Sequence, residues 1–314
     1  MIEIDGSLLS NIHFKWSAKN KPIATIRRGE MVKIKIPDSS TNQIRKDWGA
    51  SDLEKLDFSK VDACVGPIYV DDARKGDTLE VELLNIEPGE LGWSMITRDF
   101  GFLKHIFSPE LVFWDLSDGY AVPRGNFLKG VKVPIQPFLG IVGVAPANGE
   151  FDVIPPQVFG GNMDNRLLKK GARLYLPIFV DGALLSVADP HAAQGDGEVT
   201  GTAIETDATV TLRVNVLHEK PPKSPVILSS EKETEVLACT GISDDLYEAA
   251  KLALENALDQ LERRGFTRKE AYVLCSVAGD LRISEIVDEP NLSVTMILPV
   301  QLIREHQKAL EAEP

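Results

Sequence analysis

The sequence predicts a mainly β protein, a β-sandwich or barrel body followed by a smaller α+β region at the C-terminal end, and three observations carry that expectation. From about residue 22 to residue 217, apolar residues alternate with polar ones over short runs, the period of half-buried strands. The 24 Gly and 19 Pro fall largely between these runs, as the turns of a sandwich or barrel require. After the Pro-rich stretch Lys220-Pro221-Pro222-Lys223-Ser224-Pro225 the period changes to that of a helix. The expected division is therefore a β-rich body over residues 1–219, carrying the site, and an α+β region over 220–314 packed on it.

Taken in order, Val32, Ile34 and Ile36 alternate with Met31, Lys33 and Lys35, and define the first clear strand. Residues 38–60 break the pattern: polar at Asp38 to Asn42 and ending in Asp52-Leu53-Glu54-Lys55-Leu56, they read as a long loop with a helical turn that can cover a site. Leu79, Val81 and Leu83 make a second strand, and Val210, Leu212, Val214 and Val216 a later one. Two basic residues and a glycine precede a strand three times, at Arg27-Arg28-Gly29, Arg74-Lys75-Gly76 and Lys169-Lys170-Gly171, which reads as a positive-φ turn ahead of each strand. In the last region Ser243, Asp244 and Asp245 supply an N-cap and acidic first turn. Leu246, Ala250, Ala253, Ala257 and Leu261 then recur at helical spacing up to Gly265. Thr267 and Glu270 have capping-box spacing and open a second helix through Val277, and Val294 to Leu298 returns to strand.

Charge and composition exclude several functions. The chain has 314 residues with 47 acidic and 34 basic side chains, a net charge of −13, and its basic pairs are isolated, so no phosphate-tracking surface for a nucleic acid is expected. Its longest apolar stretch, Pro137 to Ala147, is well short of the roughly 20 residues of a spanning helix, so no membrane partner is expected. The opening residues lack the charged and apolar regions of a secretory signal, and Cys64, Cys239 and Cys275 are odd in number and far apart. Together these point to the cytoplasm, with Cys275 a buried small hydrophobe. There is no Gly-x-Ser-x-Gly elbow and no glycine-rich nucleotide loop.

Chemistry concentrates between Phe159 and Glu205. Asp189, His191, Gln194, Asp196 and Glu198 lie in one connection between apolar runs, and Gly195 and Gly197 let it fold tightly. Carboxylates with one imidazole suit a divalent ion; the same loop also fits a metal-free site with Glu198 or Asp196 as general base, or a solvated acidic turn. The segment Gly160-Gly161-Asn162 reads either as an oxyanion hole of backbone N–H groups or as a plain turn. Of the histidines, His218 and His306 sit among charged residues and are expected to be solvated, His13 and His105 are undecided, and His191 is the one placed for chemistry.

At Gly66-Pro67-Ile68-Tyr69-Val70, Gly140 to Ala147, Phe159-Gly160-Gly161-Asn162-Met163-Asp164 and Ala188-Asp189-Pro190-His191 through Glu198, the chain resembles the acetamidase/formamidase family. The resemblance runs over nearly the whole chain, with departures at Val65, Asp71-Asp72 and Ala188. It implies an amidohydrolase that cleaves the C–N bond of short aliphatic amides to a carboxylate and ammonia, a mainly β fold and a homo-oligomer. On this reading Asp164, Asp189, His191 and Asp196, in some subset, hold a metal ion, zinc being the expected one. Gly160, Gly161, Asn162 and Gln194 bind the small amide, and Glu198 moves the proton. The competing readings are a metal-dependent hydrolase of another amide or amidine-like compound and a non-catalytic small-ligand binding protein.

Overall fold

Because successive side chains of a strand point to opposite faces, Met31–Ile36 buries Val32, Ile34 and Ile36 completely while Met31 and Lys35 stay exposed. In the computed structural model, which describes residues 1–312, this strand pairs in parallel with Ile2–Asp5 and antiparallel with Ala208–Leu217. The sheet then continues through Thr78–Pro88, Arg173–Pro177, Val226–Glu231, Thr234–Ser243 and Leu292–Pro299 to Asp280–Glu285, nine strands in all. A second sheet of eleven strands has Leu185–Ala193 at its centre. Phe138–Gly143 lies along one side of that strand, and Cys64–Asp71 and Ile204–Glu205 share the other.

The two sheets pack face to face. Leu79, Val81, Val210 and Leu212 of the first meet Val65, Ile68, Ile141 and Leu185 of the second in one buried cluster. Each such side chain contributes about 1.5–3 kcal/mol when fully buried, and together they make the body the sandwich expected from its alternation. The three expected turns are present: Gly29, Gly76 and Gly171 have φ of +81°, +95° and +86°, a region that L side chains enter only with strain.

Three helices, α1 (Leu246–Glu262), α2 (Arg268–Ala278) and α3 (Val300–Ala312), cover the far end of the first sheet. Helix α1 turns Ala249, Ala253, Ala257 and Leu261 into a second core with Leu237, Met296 and Leu298. Its cap is Asp245, which accepts from the Glu248 N–H at 2.8 Å, while Ser243 ends the preceding strand. Helix α2 starts on the expected capping box of Thr267 and Glu270 and buries Cys275. Helix α3 is a correction to the sequence reading, which ended on a strand. Its Val300 and Ile303 enter the second core, and His306, expected in solvent, stacks on Phe266 with ring centroids 3.9 Å apart. The strands of residues 220–314 continue the first sheet, hydrogen-bonded to the body through Arg173–Pro177 and Val226–Glu231.

The polar stretch from Asp38 to Asp62 forms a strap over one end of the second sheet. It contains the 3-10 turns Ala50–Lys55 and Phe58–Lys60, and its Leu53, Leu56 and Val61 pack on Trp93, Met95 and Leu111. The strap's two ends meet where the Asp62 N–H donates to Ser39 O at 2.7 Å. No helix among the described residues is long and apolar enough to cross a membrane.

Candidate active site

Every residue of Leu185–Ala193 is buried, which makes Asp189 and His191 exceptions to the rule that charged groups face water. The strand's regular alternation is broken by register shifts between Leu185 and Val187 and between His191 and Ala193, and by Asp189, whose φ is +56°. His191 pairs across the sheet with Phe138 and Glu205, and the Phe138 ring meets the imidazole edge-on at 4.9 Å.

The imidazole is fixed at one nitrogen and open at the other. Nδ1 lies 2.9 Å from Gln194 Oε1, an atom that only accepts, so Nδ1 carries the hydrogen; Gln194 is held in turn by donating Nε2–H to Asp164 O at 2.8 Å. Nε2 therefore has a bare lone pair in the neutral ring. It stands 2.9 Å from Asp189 Oδ2 and 3.1 Å from Glu205 Oε2, yet makes no well-directed hydrogen bond to either. A lone pair facing two carboxylates is repulsive unless a proton or a cation lies between them. Burial works against charge on the ring, but the Asp189 and Glu205 carboxylates overcome it and raise its pKa well above the ordinary imidazole value.

Further carboxyl groups converge on the same point. Asp164 follows Gly160–Asn162 with φ +39°, Glu198 sits after Gly197 with φ +46°, and Asp62 and Asp288 approach from the strap and from the turn after Asp280–Glu285, a turn whose Val287 and Asp288 N–H groups donate to the buried Glu285 carboxylate outside the cavity lining. Burial raises the pKa values of Asp62, Asp189, Glu198 and Asp288 well above the usual range, with neighbouring negative charge adding to it; Glu285 is pushed up to about 8. Glu205 is the exception: burial would raise it too, but the charge of the adjacent His191 and the hydrogen bond from Ser39 bring it below the ordinary value. Ser39 Oγ donates to Glu205 Oε2 at 2.8 Å, which ties the strap to the centre.

Gly140 makes room for this crowding. It faces Asp189 across the sheet, and a Cβ there would run into Asp189 Oδ2 and Asp164 Oδ1. Besides His191 Nε2, the buried atoms Asp164 Oδ1, Asp189 Oδ1 and Asn162 Oδ1 have no hydrogen-bond partner. Two ligand sets, Asp164 with His191 and Glu198, and Asp189 with His191 and Glu205, each bring their donor atoms within 4.8 Å of one another, so that small side-chain shifts bring them onto a shared divalent ion about 2.0–2.2 Å from each. Carboxylate oxygens with one imidazole nitrogen, unpartnered and out of water, fit a divalent cation.

These groups line an inner cavity of about 60 Å³, with His191 behind them. Apolar side chains also line it: Leu56, Phe58 and Val61 of the strap, with Trp93, Met95, Phe100 and Ile154. At about 10–15 Å³ per water-sized group, the space admits roughly four to six non-hydrogen atoms.

Of the residues singled out in the sequence, Asp164, Asp189, His191, Glu198, Asn162 and Gln194 come together here. Gln194 serves the imidazole, whereas Asn162 lines the cavity and donates to Asp288 Oδ2 at 2.8 Å. Asp196 does not join them: the turn at Gly195 and Gly197 carries its carboxylate outward onto Arg166, 2.8 and 3.0 Å away. Gly160 and Gly161 lie off the cavity against Val142 and Trp16, and the Gly160 N–H already donates to Gln157 O at 2.9 Å, so it is not free to meet an oxyanion. Sequence reasoning missed Glu205, Asp62, Asp288 and Gly140. Only Glu205 had a signal, its position in the next apolar run after the Asp189 to Glu198 connection.

Comparisons with known proteins agree with this architecture. The sequence profile of the Acetamidase/Formamidase family matches residues 6–151 and 147–305. A formamidase of Methylophilus methylotrophus is 24% identical over 368 aligned positions, covering 93% of this chain and 89% of its own. An acetamidase of Mycolicibacterium smegmatis is 25% identical, covering 83% and 84%. The crystal structure of an acetamidase from Bacillus halodurans superposes with a TM-score of 0.88 at 32% identity, over 97% of this chain and 99% of that one. With a family match over almost its whole length and the same fold at that identity, the chain belongs to the acetamidase/formamidase family.

Proposed function

We propose that this chain hydrolyses short aliphatic amides, formamide and acetamide among them, to a carboxylate and ammonia at the His191 centre. The observation that carries the reading is the unpartnered His191 Nε2 between two carboxylates beside a cavity sized for a few non-hydrogen atoms. Family membership and the formamidase and acetamidase names of its relatives support the reaction class.

The residues that fit a cation are His191 through Nε2, Asp189 and Glu205, with Asp164 Oδ1 facing the same space. Zinc is the proposed ion; when bound it polarises an amide carbonyl and acidifies a water. Gln194 keeps the imidazole in the tautomer that presents Nε2. Glu198, at the cavity wall and buried among carboxylates, has its proton affinity raised well above that of a free carboxylate by burial and by the Asp164 charge, as suits a group that passes protons. It takes one proton from the attacking water and delivers it to the amide nitrogen as the C–N bond breaks. Asn162 Oδ1, without a partner at the cavity wall, accepts an N–H of the substrate amide. The apolar wall of Leu56, Val61 and Met95 takes the alkyl end and excludes water from it. The same reading carries a homo-oligomer, on family membership, and a cytoplasmic location, supported by three buried free cysteines.

His191→Ala tests the assignment. Loss of bound zinc together with a fall in acetamide turnover of about a hundredfold or more is expected; a folded variant that keeps full zinc and full turnover overturns it.

A further inference from the structure

Outside the cavity, Asp196 takes part in a closed ring of ion pairs. Arg166 grips it through two parallel bonds, Nε to Oδ1 at 2.8 Å and Nη2 to Oδ2 at 3.0 Å. Arg282 lies 3.3 Å from Asp196 Oδ2 through Nε and makes two 2.9 Å bonds to Glu231. Arg166 Nη2 reaches Glu231 Oε1 at 3.3 Å and closes the ring. All four side chains are half-buried, between 19% and 35% exposed, so the pairs are less screened than those at the open surface.

The position of the ring in the chain gives it its meaning. Arg166 follows Asp164 by two residues, Asp196 precedes Glu198 by two, and Arg282 lies on the strand that runs into the turn bearing Asp288. Each arm therefore leads into a segment that carries a carboxyl group of the cavity. Asp164 and Glu198 both hold positive φ, +39° and +46°, a conformation strained for a non-glycine residue that persists only where the surroundings enforce it. An inner layer repeats the tie: the Gly197 N–H donates to Ser284 O at 2.9 Å, and Asn165 Nδ2 donates to Thr295 Oγ1 at 3.0 Å. The strands bearing Asp189, His191 and Glu205 are held by sheet pairing and do not depend on the ring.

We propose that the Arg166–Asp196 pair, closed by Arg282 and Glu231, is a clasp that holds Asp164 and Glu198 in their strained backbone and so sets where the Glu198 carboxyl stands in the cavity. Asp196 and Arg166 are positioning residues, acting through Glu198, and the inference rests on the reading of Glu198 as the proton-transferring group.

The test is a double-mutant cycle between Asp196→Asn and Glu198→Asp, measured on the zinc-loaded full chain with acetamide. Asp196→Asn is expected to lower kcat ten- to a hundredfold, leave KM within about threefold and leave zinc content unchanged. In the Glu198→Asp background the same substitution is expected to cost less than threefold more, because its effect passes through Glu198. Arg166→Gln repeats the measurement from the other side of the pair, should Asp196→Asn fold poorly. Unchanged kcat in both clasp variants, or losses that multiply with Glu198→Asp, overturn the clasp. Full activity in Glu198→Asp and Glu198→Gln instead removes the reading beneath it.

Discussion

One ring nitrogen decides the chemistry at the residue scale. His191 Nε2 faces Asp189 and Glu205 without a directed partner, because Gln194 has taken the hydrogen at Nδ1. The crowding around it depends on a residue with no side chain: at Gly140 a Cβ would meet Asp189 Oδ2 and Asp164 Oδ1. Gly140→Ala should therefore destabilise the fold by about 1–3 kcal/mol, as overpacking does, and push the two carboxylates apart. Zinc titration is expected to show at least a tenfold weaker affinity; unchanged affinity in the folded variant contradicts the assigned ligand set. His191 and Asp189 stood out in the sequence as polar residues inside an apolar run. Asp62 and Asp288 did not, being single acids among 47 in the chain. Asp196 read as equivalent to Glu198 because spacing does not reveal that the Gly195 and Gly197 turn sends one carboxylate out to Arg166 and the other inward.

Elements were legible wherever a period or a cap wrote them locally. The alternation of Met31–Ile36 and Ala208–Leu217 and the Thr267 to Glu270 capping box correspond to the strands and helix observed. Helix α3 was not, because only Val300 and Ile303 of its thirteen residues are buried and its remaining face is charged, so it forms by docking on the second core. Strand pairing was hidden as well. Nothing local says that Glu205 lies opposite His191, since that register comes from the sheet as a whole. The strap is the element whose stability bears on function, being fastened by a small cluster and the Ser39 to Glu205 bond. Leu56→Ala removes one of its buried anchors, at about 2–5 kcal/mol for a buried leucine. We expect faster amide hydrogen exchange confined to residues 38–62 and a rise in KM for acetamide larger than the fall in kcat. Exchange that speeds up uniformly across both sheets would instead make the strap part of the global fold.

The whole molecule concentrates its negative charge inward as well as outward. A net charge of −13 includes buried carboxyl groups that share one imidazole, and this sets the pH response of the cation-free protein. Glu285 illustrates the sign: its folded pKa of about 8 exceeds the unfolded value near 4.5, so between these limits the folded state binds a proton that the unfolded state lacks. Stability from this group is present below the unfolded pKa and is lost as pH rises through the folded one. Asp62, Asp189, Glu198 and Asp288, raised by burial, act in the same direction. The metal-stripped protein should thus melt at a higher temperature near pH 5 than near pH 8, and zinc should recover more stability at pH 8. A melting temperature of the stripped protein that climbs with pH contradicts this charge balance.

The sandwich class was legible because alternation and turns are repeated many times along the chain, whereas the centre is assembled from segments as distant as Ser39 and Asp288. The most direct test of the account is ammonia release from formamide, acetamide and propionamide by the purified protein, before and after chelation and zinc re-addition. The account predicts turnover of these short amides that chelation abolishes and zinc restores. Undiminished turnover after complete metal removal would contradict the cation at His191, and no turnover of any of the three by folded, zinc-loaded protein would contradict the amidase reading itself.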